Sequence, residues 1–385
     1  MAAKEEIPVL QLINQFAVGG AEGQFIARLR GHPAGFRPVV ACLNKAGPNL
    51  AQVAKLGLSV EEFGLKGKLA QLNTGHQIFK LAAFLEREGV KLIHANDFYA
   101  NLLAVPAARL VGARVICSRF DLGHWYTRAH HLVEAVACKT ADAVYVNAEA
   151  VRALCVDEEG VPAERVCVVR NGIDLPAFDA AAKGELSSAI PLGRPTVVVV
   201  GNLHPVKGHL DLIEAVERVR HAVPEVLVLC AGEGPMRATL EQQIAERGLR
   251  ENLMLLGHRF DVPALLARSN VACLASHAEG LSNALMEAMA ASLPVVATAV
   301  GGNVELVRDG GPEACGHLVA AHKPEQLAER LVDLLRDPVR ARALGAAGRR
   351  RVEAELTLPA MRQKTGELYR RVLAGELAQP VPKAA

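Results

Sequence analysis

Residues 270–298 read NVACLASHAEGLSNALMEAMAASLPVVAT, and their pattern decides the fold. Val271–Leu274 and Leu293–Thr298 are short apolar runs, and the segment 284–291 between them has helical spacing. Strand, helix, strand in so short a span implies a parallel pair joined by a crossover helix. A helix starting there presents free backbone N–H groups and the positive end of its dipole to an anion beyond the strand ends. Two carboxylates bracket that start: Glu279 lies in the preceding loop, and Glu287 sits about two turns into the helix. An anion cradle between two carboxylates suits a ligand with phosphate in its middle and hydroxyls at both ends. A nucleotide sugar is such a ligand.

The same alternation extends in both directions. Apolar runs at Val9–Ile13, Pro38–Leu43, Ser59–Phe63, Lys91–His94, Arg114–Cys117, Ala143–Val146 and Val166–Val169 predict strands in the first half. Helical stretches lie between most of them, as at Gln77–Glu88, where Ile78, Leu81, Ala82 and Leu85 share one face. A second series follows at Thr196–Val200, Val226–Cys230, Asn252–Leu256, Val271–Leu274, Pro294–Ala297 and His317–Val319. Continuous Val/Ile/Leu strands joined by helices predict parallel sheets covered on both faces. The Pro-, Gly- and Ser-punctuated segment between the two series reads as a linker. The domains expected are 1–175, a linker at 176–195, 196–355, and a C-terminal helix within 356–385 that can pack back on the first domain.

At 385 residues, half of them apolar and few aromatic, the chain is long enough for two α/β domains. A net charge of +2, spread over both halves, argues against nucleic acid as a partner. The eight cysteines are scattered, with no CxxC and no Cys/His ligand spacing, and read as reduced thiols of a cytoplasmic protein. The N-terminus is polar, with no signal peptide, and no apolar run reaches the ~20 residues of a membrane span. Peripheral contact with the inner face of a membrane stays open, because it needs only a surface patch.

Other strand-to-helix turns carry candidate ligand groups. Gly19-Gly20 follows the first strand, leaves N–H groups free and is not a GxGxxG. Gly201-Asn202-Leu203-His204-Pro205-Val206-Lys207-Gly208 follows the strand Thr196–Val200; Lys207 can neutralise a phosphate as a point charge, though the spacing is not that of a P-loop. Gly232-Glu233-Gly234-Pro235 and His258-Arg259-Phe260 follow the next two strands, and Gly301-Gly302 follows the strand ending at Thr298. Each alone is a turn or a solvated helix start. Together they occupy successive carboxyl ends of one sheet, where open α/β sheets bind ligands.

The order G-N-L-x-x-x-K-G, G-E-G-P, E-G-x-S-x-x-x-x-E-A-M-A, P-V-V-A-T-x-x-G-G resembles the group 1 family of retaining glycosyltransferases. It covers essentially the whole second lobe; the first lobe is similar more loosely, through Gly19–Glu22 and Asn171–Asp174. The resemblance implies an α/β architecture of GT-B type, with two Rossmann-like domains facing across a cleft. It also implies that Glu287 accepts from the ribose hydroxyls, that Glu279 contacts the donor sugar near the reacting centre and that Lys207 holds the diphosphate. The backbone at Gly280, Leu281 and Ser282 would cap the phosphate charge. Gly19 and Gly20 would approach the donor from the first lobe, with Asn202, Gly232 and Gly234 bordering it, and the loop with Arg259 and Phe260 would read the base. Glu279, Lys207 and Arg119 are the catalytic candidates.

Three positions depart from the family pattern. Asn202 stands where Arg is common, which leaves the diphosphate less neutralised unless His204 or Arg259 compensates. Arg119 falls near the place of a first-lobe histidine, for which His124 or His94 are the other candidates. Ser292 replaces a glycine in a turn where positive φ is expected, at a cost of roughly 1 kcal/mol.

The chain contains no Asp-x-Asp motif, so neither a metal nor another cofactor is expected. The activity implied is retaining transfer of a hexose-type sugar from an NDP-sugar to a hydroxyl on a glycan, a lipid-linked glycan or a small molecule, as in cell-surface polysaccharide or glycolipid synthesis. The alternatives are a non-hydrolysing nucleotide-sugar epimerase or a phosphorylase of the same fold, and a non-catalytic nucleotide-sugar-binding protein. The acceptor would be read by the first lobe, where Lys66, Gly67, Lys68, His124, Trp125, Tyr126 and Arg128 form no motif.

Overall fold

The computed structural model describes residues 6–65, 72–186, 190–191 and 193–377. Two compact units divide the chain: Met1–Gly172 together with Leu358–Ala385, and Ile173–Thr357. Each is built on one wholly parallel sheet.

The first unit contains strands β1 (Ile7–Ile13), β2 (Phe36–Cys42), β3 (Val60–Glu62), β4 (Leu92–Ala95), β5 (Arg114–Arg119), β6 (Ala143–Val146) and β7 (Val166–Val168). Their order is β3-β2-β1-β4-β5-β6-β7. The second unit contains β8 (Thr196–Val200), β9 (Leu227–Ala231), β10 (Leu253–Gly257), β11 (Val271–Leu274), β12 (Val295–Thr298) and β13 (Gly316–Val319), ordered β10-β9-β8-β11-β12-β13. The strands inside each sheet fall on apolar runs, because a strand covered on both faces has no solvent side to fill with polar residues, whereas the edge strand β3 is Val60-Glu61-Glu62 and partly exposed. In both sheets the winding reverses once, between β1 and β4 and between β8 and β11, and the loops leaving those strands form the natural ligand crevice.

The C-terminal helix Leu358–Leu373 is part of the first unit's core. Leu358, Met361, Leu368, Tyr369 and Val372 pack with Val9, Phe36, Leu92 and Ile116. The Tyr369 hydroxyl accepts from Gln11 Nε2 at 2.8 Å and lies 2.8 Å from His94 Nδ1.

The expected linker at 176–195 is not one extended connection. Leu175–Ala182 is a helix of the second unit, with Asp174 Oδ1 accepting from Ala177 N at 3.3 Å and Pro176 in its first turn. Proline there starts a helix instead of breaking one, because its missing N–H has no intrahelical partner to lose. Asp179 of this helix holds Arg349 through two hydrogen bonds of 2.6 and 2.8 Å. The passage into the second unit is paired with the passage out: Ile173 N donates to Leu356 O at 2.9 Å, and Ile173 bridges Thr357.

All eight cysteines are free, and seven are buried. Among the described residues no helix is long and apolar enough to cross a membrane.

Candidate active site

In the second unit the reversal point brings together the loops after β8 and β11. Pro205–Lys207 forms a single 3-10 turn, and Gly208 follows at φ +65°. An added Cβ at Gly208 would lie 1.9 Å from Ala275 O, so only glycine lets these two loops touch. The close approach places Lys207 Nζ 2.6 Å from Glu279 Oε1. Ser276 Oγ donates to the same Glu279 oxygen at 2.6 Å, and the carboxylate side chain is only 9% exposed.

Beyond Glu279, Ser282 caps the helix Asn283–Ala290, its Oγ accepting from Leu285 N at 3.3 Å. Leu281 is buried and anchors the turn from below, while the Gly280 carbonyl accepts from Gly302 N at 2.7 Å. Glu287 is half-buried on this helix and its carboxylate has no partner among the described residues. Desolvation raises its carboxyl to about 7.

The flanking turns complete the rim. At Gly232 and Gly234 an added Cβ would lie 1.9 Å from Gly201 O and 2.5 Å from Leu203 O respectively, so only glycine lets the backbone approach so closely here. They hold the strand-end loops together. Arg259 forks onto Asp261, its Nε donating to Oδ1 at 2.7 Å, so its charge is committed locally. The Phe260 ring is 87% exposed and free to stack on a planar group, with only His258 against it at 4.8 Å between centroids. Asn202 and His204 are exposed.

In the first unit the reversal point opens a pocket of 180 Å³ lined by residues that include Glu22, Asp97, Tyr99, Arg119 and Trp125. Asp97 ties its two edges, accepting from Asn14 N at 2.5 Å and from Ala100 N at 2.9 Å. Burial pushes its carboxyl up to about 6, and burial likewise raises that of Glu22. Gly19 caps the helix Gly20–Arg30, whose first turn carries Glu22.

Arg119 ends β5 and is 2% exposed. Its Nη1 donates to both oxygens of Glu159 at 2.8 Å, Glu134 lies 3.8 Å from Nε, and the Tyr126 ring is 5.3 Å away. Burial works against its charge, but the two carboxylates prevail and keep the guanidinium ionised. Burial in turn raises the Glu134 carboxyl to about 8. Arg119 Nη2 is buried with no hydrogen-bond partner.

Residues 185–351 match the family Glycosyl transferases group 1, and residues 23–172 match the Glycosyl transferase 4-like domain. The chain is 31% identical over 319 residues to the alpha-maltose-1-phosphate synthase of Mycolicibacterium smegmatis, spanning 74% of this chain and 80% of that one. It belongs to the group 1 glycosyltransferases. Its similarity to the GDP-mannose-dependent alpha-(1-6)-phosphatidylinositol monomannoside mannosyltransferase of Mycobacterium tuberculosis is 31% over 221 residues, 54% of this chain and 57% of the relative. Anabaena HepE, solved in complex with UDP and glucose, superposes with a TM-score of 0.82 at 22% identity, covering 95% of this chain and all of HepE. The fold is GT-B.

Within this glycosyltransferase, Lys207, Glu279, Gly280, Leu281, Ser282 and Glu287 lie on two adjoining loops and one helix of the second unit. Gly19, Gly20 and Arg119 belong to the first unit. Of the candidates for the first-lobe histidine, His94 is fully buried between Tyr369 and Ser118 Oγ, the latter at 3.0 Å, and burial holds it neutral. His94 is a core residue; His124 is exposed on the loop after β5. Lys66, Gly67 and Lys68 lie outside the described residues. Sequence reasoning missed Asp97 and Ser276. Asp97 had a signal, an Asp between an apolar run and a helix, which is the mark of an N-cap. Among the described residues one group of metal-ligating type occurs, Asp211, His277 and His322, and no expected donor-binding residue belongs to it.

Proposed function

We propose that the chain is a retaining glycosyltransferase that moves a hexose-type sugar from a nucleoside-diphosphate sugar to a hydroxyl acceptor. The observation that carries this reading is the Lys207–Glu279 pair, seated beside the N-terminus of the helix that bears the unpartnered Glu287. Lys207 and the helix N-terminus meet charge that grows on the departing diphosphate, so their contribution is greatest in the transition state. Glu287 receives the ribose hydroxyls, and Glu279 faces the sugar with its oxygen oriented by Ser276. Phe260 offers a ring face to the base. The relatives include a GDP-mannose-dependent enzyme, and HepE was solved with UDP; the base is therefore left to experiment.

The first-unit pocket is our candidate for the acceptor site. Carboxylates at Glu22, Asp97 and Asp121 and rings at Tyr99, Trp125 and Tyr126 suit a neutral sugar, whose hydroxyls donate to carboxylates and whose C–H face lies on an aromatic ring. Arg119, paired with Glu159 through Nη1, lines the same pocket. For peripheral membrane contact, the surface that fits is the helix Arg128–Thr140, which exposes Leu132, Val133 and Val136 beside Arg128 and Lys139. Flotation with anionic vesicles, compared between the native chain and Leu132→Glu/Val136→Glu, tests that surface.

A thermal-shift screen of UDP- and GDP-linked glucose, galactose, mannose and N-acetylglucosamine tests the central reading, followed by assays of NDP release with simple glycosides. One donor should raise the melting temperature and turn over with an acceptor. Tight donor binding without turnover over a broad acceptor panel would favour a binding protein, and turnover without any acceptor would favour an epimerase.

A further inference from the structure

Two histidines from two separate loops of the second unit converge on one carboxylate oxygen of Asp211. Asp211 lies in the first turn of the helix His209–Ala222, His277 in the loop after β11, and His322 in the loop after β13. His277 Nε2 is 2.9 Å from Asp211 Oδ2, and His322 Nδ1 is 3.6 Å from the same oxygen. The candidate ligand atoms all fall within 4.8 Å of one another. We propose that Asp211, His277 and His322 form a binding site for a divalent transition metal, zinc being the best match.

The donor set and the spacing both support this. Two imidazole nitrogens and a carboxylate oxygen are ordinary zinc ligands, and at metal–ligand distances of ~2.0–2.1 Å a tetrahedron places neighbouring ligands roughly 3.3–3.4 Å apart. The two observed separations straddle that value. The rings of His277 and His322 stand 3.9 Å apart and tilted by 38°, so the two imidazoles lie side by side and would have to spread by about 1 Å to share a tetrahedral ion. With the Asp211 and His277 side chains about one-quarter exposed and His322 two-thirds exposed, the metal has an open path in and a position left for water.

The backbone is arranged to hold this geometry. His322 has φ +59°, a left-handed conformation that a residue other than glycine adopts at a cost. His277 N donates to Val206 O at 2.7 Å, and the missing side chain at Gly208 leaves room for the His277 ring, whose Nε2 would lie 3.2 Å from an added Cβ. A bound ion would therefore staple together the loops that carry Lys207 and Glu279. This site stands independently of the donor assignment, since none of its ligands is a proposed donor contact.

The test is titration of zinc chloride into the full chain after treatment with a chelator, followed by calorimetry and by thermal unfolding. One zinc ion should bind per chain and raise the melting temperature, and cobalt should give the visible absorption of a tetrahedral site. His322→Gly is the informative variant because glycine takes φ +59° without strain. It should match or exceed the native chain's stability with chelator present, yet bind zinc roughly tenfold or more weakly and lose the thermal shift. His277→Gln should lose the shift as well. Absence of stoichiometric zinc binding, or zinc binding unchanged in the His322→Gly/His277→Gln double variant, overturns the proposal.

Discussion

Lys207 Nζ and Glu279 Oε1 are 2.6 Å apart, although 72 residues separate them in the chain. The two charges offset each other across this contact, and under the proposed function a diphosphate at Lys207 would compete directly for the ammonium. Lys207→Ala should lower kcat by about 10²–10³ while leaving the fold intact, because the lost interaction is strongest when charge has moved onto the leaving group. Steady-state kinetics with the donor found by screening measures this. A variant with native kcat would remove Lys207 from the mechanism.

Glu287 gives a pH-dependent prediction. Its carboxyl rises from 4.5 in the unfolded chain to about 7 in the folded one, through desolvation. Between those values the native state holds a proton that the unfolded state has released, so this group's contribution to stability falls as pH rises from about 4.5 to 7 and is fully unfavourable above that. Glu287→Gln should be more stable than the native protein at pH 8, by on the order of 1–2 kcal/mol after allowance for partial exposure, and equal to it near pH 4. Denaturant midpoints at the two pH values provide the comparison.

The same group should couple donor binding to proton release. Ribose hydroxyls donate best to the ionised carboxylate, so binding near pH 6.5 should expel a proton from Glu287. Calorimetry in two buffers of different ionisation enthalpy reads that release directly, and it should vanish in Glu287→Gln. Identical heats in both buffers for the native protein would remove Glu287 from the donor site.

Arg119 is held by Glu159 and Glu134 in a buried triad. Arg119→Met would leave two carboxylates confined together and should cost about 3–5 kcal/mol at pH 8. Much of that loss should return as pH falls through the carboxyl range, since protonation removes the repulsion. A variant as stable as the native chain at pH 8 would show that the triad contributes nothing to the fold.

Ser292 has φ +60°, as its turn position predicts, and it is exposed. Ser292→Gly should stabilise the second unit by about 0.5–1 kcal/mol, seen as an upward shift of the unfolding midpoint.

The sheets were legible because a buried parallel strand must be an unbroken apolar run, as at Thr196–Val200, and the position of Lys207 and Glu279 followed from where such strands end. Other features were not. The helix Leu175–Ala182 hides behind Pro176, which looks like a breaker until Asp174 is recognised as its cap. The neutralisation of Arg119 depends on Glu159, 40 residues away, and on Glu134 from the helix Arg128–Thr140. Asp211 comes from the first turn of a helix, and His277 and His322 from two loops, with no shared spacing. Pairings of that kind are set by tertiary packing, and local periodicity carries no trace of them.

The hydrogen bond from Ile173 to Leu356 and the Ile173–Thr357 bridge close the second unit at its own neck. A module whose entrance and exit are fastened together behaves as a cassette: it can be lifted out or exchanged at one seam, without rebuilding the scaffold around it. The remainder is less forgiving, because residues 358–377 supply Tyr369 and its neighbours to the first unit's interior. Recombination within this family should therefore swap 173–357 as a block and keep the last helix with the opening 172 residues.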